Sequence, residues 1–306
     1  MHIPSDESVD AFQLFTSVRH DAALRRVAGD PAFAHAGWNY KQASPYYMLD
    51  LHRDRLLRAA THWRWEAAVS VMTGEAGLQR LEAVLDGVVQ STSSGEGSVL
   101  RCRVTLRKDG QLRCEAFAAA ETPLAGLFPP ELPPPGFMMA SGVAAEDSQE
   151  APPPLPLLSS LRAAMAHELY EVTLDAGSTT SSPYTHYKTT HRHMYDAARQ
   201  RAGIKDPERR EVLLVNGDSG AVMDGSLTTV YLWRNGRWVT PPVPPAYSIE
   251  GGSGGLDGTT RRWALERTLA AEEDVKSDTL RDGEECWLSN GVRGFMYGQI
   301  RLALSE

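Results

Sequence analysis

A chain of 306 residues can bury two lobes' worth of core, and its 42% hydrophobic and 23% charged residues are those of an ordinary globular protein. The formal charge of −8 argues against nucleic acid or an anionic membrane as the main partner, so an anionic ligand must be held by local arginines and backbone N–H groups. The start, Met1-His2-Ile3-Pro4-Ser5-Asp6-Glu7, does not read as a signal peptide, and no apolar run approaches the roughly 18 residues of a bilayer span. With no Asn-x-Ser/Thr sequon either, the expected address is the cytoplasm.

Residues 12–18 carry the β-branched and aromatic content of a strand with partial period-2 alternation. Residues 50–63 read as a helix with Leu51, Arg55, Leu56, Ala59 and Ala60 on one face. Asp109-Gly110 signals a two-residue hairpin turn between strands 99–106 and 111–114. That turn predicts Cys102 opposite Phe117 and Cys114 opposite Thr105, thiols out of register, and all three cysteines are expected to be reduced.

Proline runs and small residues replace periodicity over 122–156, which reads as an extended connection with a solvated loop at 144–150. The expected organisation is a small N-terminal α/β domain (1–121), this connection (122–156) and a larger C-terminal domain (157–306). In the latter, 169–174 is a strand leading to the polar turn Ser182-Pro183-Tyr184-Thr185-His186-Tyr187-Lys188-Thr189-Thr190, which is expected to open a helix. That helix carries Met194, Tyr195 and Ala198 inward and ends near Gly203. Residues 211–215 form a buried strand, and 227–233 and 237–240 form a hairpin about Asn235-Gly236 with a type I′ signal. Gly255-Leu256-Asp257-Gly258-Thr259-Thr260-Arg261 opens a helix over 261–271, and 286–289 is a last short strand.

A lone lysine in a Ser/Thr-rich turn is nearly always solvated. Lys188 gains meaning from the residues downstream: a carboxylate in Asp224-Gly225-Ser226, then a Thr-Thr helix start able to receive a phosphate. An amine, a carboxylate and a phosphate cradle in that order are the parts a pyridoxal phosphate enzyme requires. These segments, together with Tyr195-Asp196-Ala197-Ala198-Arg199, Phe15-Thr16-Ser17-Val18-Arg19 and His52-Arg53-Asp54-Arg55-Leu56, resemble the class IV aminotransferase family. Within it the resemblance is strongest to fungal-type 4-amino-4-deoxychorismate lyases.

The resemblance implies a two-domain α/β fold of fold-type IV, like D-amino-acid and branched-chain aminotransferases, with pyridoxal phosphate between the lobes of a homodimer. It implies that Lys188 attaches the cofactor and shuttles the proton. Arg55, Thr259, Thr260, Ser289 and Asn290 are then expected around the phosphate, Asp224 at the pyridine nitrogen, and Ser17 beside the substrate. Two departures stand out. Asp224 replaces the family's usual Glu and keeps its charge on a side chain one methylene shorter, and Thr229 stands where Asn is usual.

The implied reaction turns 4-amino-4-deoxychorismate into 4-aminobenzoate and pyruvate. Since that substrate is a dicarboxylate, Arg19 and Arg293 are candidates to bind it. A transaminase acting on D-amino acids, branched-chain amino acids or amines, and a non-catalytic homologue, are the alternatives. Competing motifs are weaker. His186, His191 and His193 lack a nearby carboxylate or cysteine at ligand spacing, and on a helix His191 and His193 point about 200° apart, so no metal is expected. Gly251-Gly252-Ser253-Gly254-Gly255 fits neither dinucleotide nor P-loop pattern and reads as a flexible loop bordering the site. Trp38, Trp63, Trp65 and Trp263 are expected in the core or an interface.

Overall fold

The computed structural model describes residues 12–92, 98–136, 169–205 and 208–302. The expected loop at 144–150 lies outside them. Three seven-residue segments, the largely buried β1 (Leu14–His20) and the alternating β2 (Leu100–Leu106) and β3 (Leu112–Ala118), build an antiparallel sheet in that order. Strand pleating sends Leu14, Val18, Cys102 and Val104 to one face, where they pack beneath helices Leu49–His62 and Gly74–Ser91. The opposite face carries Phe15, Ser17, Arg101 and Arg103.

The hairpin register differs from the expected one by a single residue: Cys102 faces Ala116 and Cys114 faces Val104. The turn holds three residues instead of two. Arg107 N donates to Gln111 O at 3.0 Å, and Gly110 adopts a left-handed φ of 83° as the closing bulge. Cys102 and Cys114 therefore share a face, two positions apart, and both are free, as is Cys286.

Eight further strands make the large sheet: β4 (Tyr170–Leu174), β5 (Arg210–Val215), β6 (Val222–Gly225), β7 (Thr229–Arg234), β8 (Arg237–Thr240), β9 (Ala271–Glu272), β10 (Glu285–Asn290) and β11 (Gly294–Ile300). Their order is β6-β5-β4-β11-β10-β7-β8-β9. Asn235 and Gly236, at φ 52° and 78°, make the type I′ turn between β7 and β8 as their types predict. The helix expected over 261–271 is Thr259–Glu266 instead. Thr268 turns left-handed at φ 56°, which ends it and frees Ala271 and Glu272 to pair with β8.

Residues 124–135 are packed, not merely extended. Leu127, Phe128 and Leu132 enter a core with Trp238, Trp263, Trp287 and Tyr297, because apolar residues between the prolines have a large aromatic surface to cover. Trp238 Nε1 donates to Leu132 O at 2.9 Å and Trp287 Nε1 to Pro133 O at 3.2 Å. Trp65 and Trp263 are buried. No helix among the described residues is long and apolar enough to cross a membrane.

Candidate active site

The two sheets meet at Lys188. After the single-turn helix Pro183–His186 the chain turns extended, and the helix expected to begin here starts only at His193. Phe15 N donates to Lys188 O at 3.0 Å and Thr190 N to Gln13 O at 2.8 Å, so this stretch runs against β1 as an extra edge segment. Lys188 reaches into a cavity of about 390 Å³ lined also by Ser17, Arg55, Asp224, Thr259, Thr260, Ser289, Asn290 and Arg293. Its amine lies 5.0 Å from the centre of the Phe15 ring and has no hydrogen bond or ion pair among the described residues. Burial, and then the charges of Arg55 and Arg192, lower its pKa well below the ordinary lysine value, partly offset by Asp224. A lysine in this setting keeps a neutral, nucleophilic fraction near physiological pH.

Asp224 lies in β6 and opens on the same cavity. Burial raises its pKa well above the carboxylate range, and the charge of Glu211 pushes the same way. Glu211, 2% exposed, is fully engaged. It accepts from Ser226 N at 3.0 Å, Leu227 N at 3.1 Å, Ser226 Oγ at 2.5 Å and Thr228 Oγ1 at 2.8 Å, which fixes the turn after Asp224. On the other side Gly255 approaches so closely that a Cβ there would sit 2.2 Å from Met223 O and 3.2 Å from Asp224 Cβ. The glycine-rich loop thus borders the site as backbone packed against the carboxylate's own strand. A backbone N–H and the charges of Lys188 and Arg261 offset the rise in the Asp224 pKa in part, and a further cation brought into the cavity would add to that relief.

The remaining polar groups converge at the start of helix Thr259–Glu266. Thr260 Oγ1 and Ser289 Oγ are 2.8 Å apart, and Ser289 Oγ is 2.9 Å from Tyr231 Oη. Arg55 donates to Thr16 Oγ1 and, at 3.2 Å, to His52 Nδ1, which also lies 2.6 Å from Thr16 Oγ1. Burial lowers the Arg55 pKa to about 10 and drives His52 well below its usual value, so the imidazole is neutral. With Nδ1 accepting, the hydrogen-bond network assigns the proton to Nε2. Among the described residues neither His52 Nε2 nor Thr259 Oγ1 has a partner, although both are buried. A Cβ at Gly291 would lie 2.8 Å from the first and 3.0 Å from the second. Two orphaned polar atoms, a guanidinium and a helix start on one small space make a donor set suited to a phosphate.

The structure redistributes the other candidates. Arg19 is a correction: it is fully buried, ion-paired with Asp21 at 2.7 Å, and donates to Ala120 O at 2.9 Å and Val292 O at 3.2 Å. It braces β1 against the chain behind it and does not line the cavity. Asn290 builds a turn, accepting from Val292 N at 3.0 Å and Arg293 N at 2.8 Å. His191 and His193 are also corrected. Only His193 is helical, so the helical angle does not apply, and their rings meet edge to face at 4.7 Å. Among the described residues no three metal-ligand side chains gather. Sequence reasoning missed His52, Thr16, Arg101, Arg103 and Arg192. His52 alone left a signal, lying three residues before Arg55 on the same helix.

Two curated relatives match part of the chain. A Schizosaccharomyces pombe protein provisionally assigned as an aminodeoxychorismate lyase is 32% identical over 136 residues, 43% of this chain and 55% of that protein. The aminodeoxychorismate lyase of Saccharomyces cerevisiae is 30% identical over 147 residues, 43% of this chain and 37% of its own length. The chain thus spans about half or less of these relatives. A fold IV transaminase from Curtobacterium pusillum superimposes with a TM-score of 0.55 at 19% identity, covering 96% of this chain and 80% of that one. At that identity the likeness concerns the fold, which is the two-sheet α/β arrangement of fold-type IV. The family model for amino-transferase class IV matches residues 37–298, which takes in nearly all of the large sheet, strands β2 and β3 of the small one and most of the cavity lining, and the chain belongs to that family.

Proposed function

We propose that this protein binds pyridoxal phosphate and converts 4-amino-4-deoxychorismate into 4-aminobenzoate and pyruvate. The observation that carries the reading is the meeting of three parts in one cavity: the Lys188 amine, the buried Asp224 carboxylate, and the cradle of Arg55, Thr259, Thr260 and Ser289. The orphaned His52 and Thr259 atoms support a phosphate at that cradle. The names of the two yeast relatives favour the lyase over other class IV reactions.

When bound, the cofactor supplies an electron sink that acidifies the hydrogen on an amine-bearing carbon. Lys188 is the attachment residue and, once released by the substrate amine, the base. Its lowered pKa suits it to take that proton at Nζ. The C–O bond at the neighbouring carbon then breaks, its electrons leave with pyruvate as the enolate, which gains a proton from Lys188 or the Ser17 hydroxyl, and the ring becomes aromatic. Asp224 holds the pyridine nitrogen's proton; the same burial that raises its pKa makes a facing cation favourable. Phe15, Tyr184 and Tyr187 wall the cavity and limit water around Lys188.

The same reading takes the active form as a homodimer of chains divided at 1–121, 122–156 and 157–306. The three free cysteines suit a reducing, cytoplasmic setting. The test is to supply 4-amino-4-deoxychorismate and pyridoxal phosphate without any 2-oxo acid. Release of both 4-aminobenzoate and pyruvate, with a visible band lost in Lys188→Ala, is expected. Amine transfer only when a 2-oxo acid is added identifies a transaminase, and absence of a Lys188-dependent band identifies a non-catalytic homologue.

A further inference from the structure

The six arginines at this cavity are not equivalent. Arg55 is engaged at the phosphate end, Arg192 is paired with Asp196 at 2.9 Å, and Arg199 donates to Ser226 Oγ at 3.1 Å. Arg101 has no carboxylate within ion-pair distance among the described residues and lies over the Phe117 ring at 4.7 Å. Arg103 lies over the Phe15 ring at 5.0 Å, and its nearest carboxylate, Glu115, is a weak exposed contact at 3.9 Å. In a protein with 39 acidic residues against 31 Lys and Arg, guanidinium groups left this free at a cavity are informative.

Their placement costs stability. Arg101 stands directly opposite Arg19 in the sheet, a like-charge pair that antiparallel strands normally avoid. Phe117, 41% exposed, stays at the surface beneath it. Stacking on a ring orients a guanidinium while leaving its forked donors open, the state in which it captures a carboxylate through two parallel bonds. The register also puts Arg103 opposite Ser17, beside Lys188. Lys188 Nζ and the Arg103 guanidinium are each 5.0 Å from the Phe15 ring centre, so they lie no more than twice that distance apart.

We infer that Arg101 and Arg103 form a two-pronged clamp for the carboxylates of a dianionic amino substrate, with Phe15 and Phe117 as its apolar floor. The inference rests on the lyase reading above and names the groups that recognise that substrate. Two positions on a strand separate the prongs by about 7 Å. That spacing suits a small ring carrying one carboxylate directly and a second on an enol-ether arm at the meta position. Arg293, bonded among the described residues only through its backbone N–H, is left outside the clamp because its turn is set by Asn290 and shares no strand with the other two.

The test uses the holoenzyme and chorismate, which keeps both carboxylates but has a hydroxyl in place of the reacting amine, so its binding is separate from turnover. Its affinity is measured by calorimetry for the wild type, Arg101→Met, Arg103→Met, Arg103→Lys and, as a control away from this cavity, Arg113→Met. Each methionine variant in the clamp is expected to weaken chorismate by roughly 10- to 100-fold, the worth of hydrogen bonds to a charged group, and to raise KM more than it lowers kcat. Arg103→Lys should recover part of the loss, Arg113→Met should match the wild type, and every variant should keep the Lys188-dependent band as proof of an intact site. Wild-type affinity in both clamp variants overturns the clamp and leaves the lyase reading standing. A wild type that does not bind chorismate overturns both.

Discussion

Around the large sheet, the framework behind the site is tied together by hydrogen bonds among its own residues. Glu211 locks the turn after Asp224 with four hydrogen bonds, and Tyr231, Ser289 and Thr260 form a buried chain of hydroxyls. On the small sheet, Arg101 and Arg103 rest on aromatic rings, and among the described residues their guanidinium groups make no hydrogen bond and only the weak contact of Arg103 with Glu115. The contrast separates two tasks. Groups that hold a reacting centre need fixed geometry, which buried networks supply, whereas groups that select a charged substrate must be open to exchange water for it.

That contrast can be broken first at Lys188. Lys188→Ala should lower kcat by about 10³- to 10⁴-fold in the lyase assay and abolish the visible band, and retained activity would show that the base lies elsewhere. Asp224→Asn, which removes the charge but little volume, should reduce kcat by about 10²- to 10³-fold with KM nearly unchanged. If KM moved and kcat did not, Asp224 would belong with the selecting groups. Gly291→Ala puts a methyl between His52 Nε2 and Thr259 Oγ1. Pyridoxal phosphate affinity, by equilibrium dialysis, should fall about tenfold, and the cofactor-free protein should also melt lower because the methyl crowds the buried His52 ring.

Smaller effects test the cost of the site. Lys188 has a folded pKa below its unfolded value of 10.5, so in the cofactor-free protein it destabilises at neutral pH. The penalty is complete below the folded pKa and disappears as pH rises toward 10.5. Lys188→Met should therefore stabilise the cofactor-free chain by ~0.5–2 kcal/mol at pH 7, and the gain should vanish near pH 10.5 in denaturant titrations. Gly236→Ala, far from the cavity lining, should cost about 1 kcal/mol through its φ of 78° and leave kinetics untouched.

That Lys188, Asp224, Thr259 and Thr260 belong together was legible because each lies in a short local motif, Lys188 in its turn, Asp224 before the β7 hairpin and the threonines at a helix start, and the fold brings them to one cavity. Arg19 shows the limit. What removes it from the site are carbonyls 101 and 273 residues away, and nothing local in Phe15-Thr16-Ser17-Val18-Arg19 announces them. Arg101 and Arg103 escaped notice for a related reason. Their alternation with Cys102 and Val104 marks a face of a strand, but only the assembled sheets reveal that this face borders Lys188. The hairpin was found from Asp109-Gly110, yet its register slipped by one residue because the same dipeptide also closes three-residue turns. Helix 259–266 ended early where Thr268 turns left-handed, a backbone state that a threonine does not advertise.

The bond from Phe15 N to Lys188 O gives the small sheet mechanical leverage over the reaction centre. Phe15 holds the lysine's backbone with its amide while its ring lies against both the lysine amine and Arg103. A tilt of this sheet would pull on the lysine's backbone through that bond and on its amine through the ring. A base at Lys188 and a substrate seated on Arg103 would thus share Phe15 as a common neighbour.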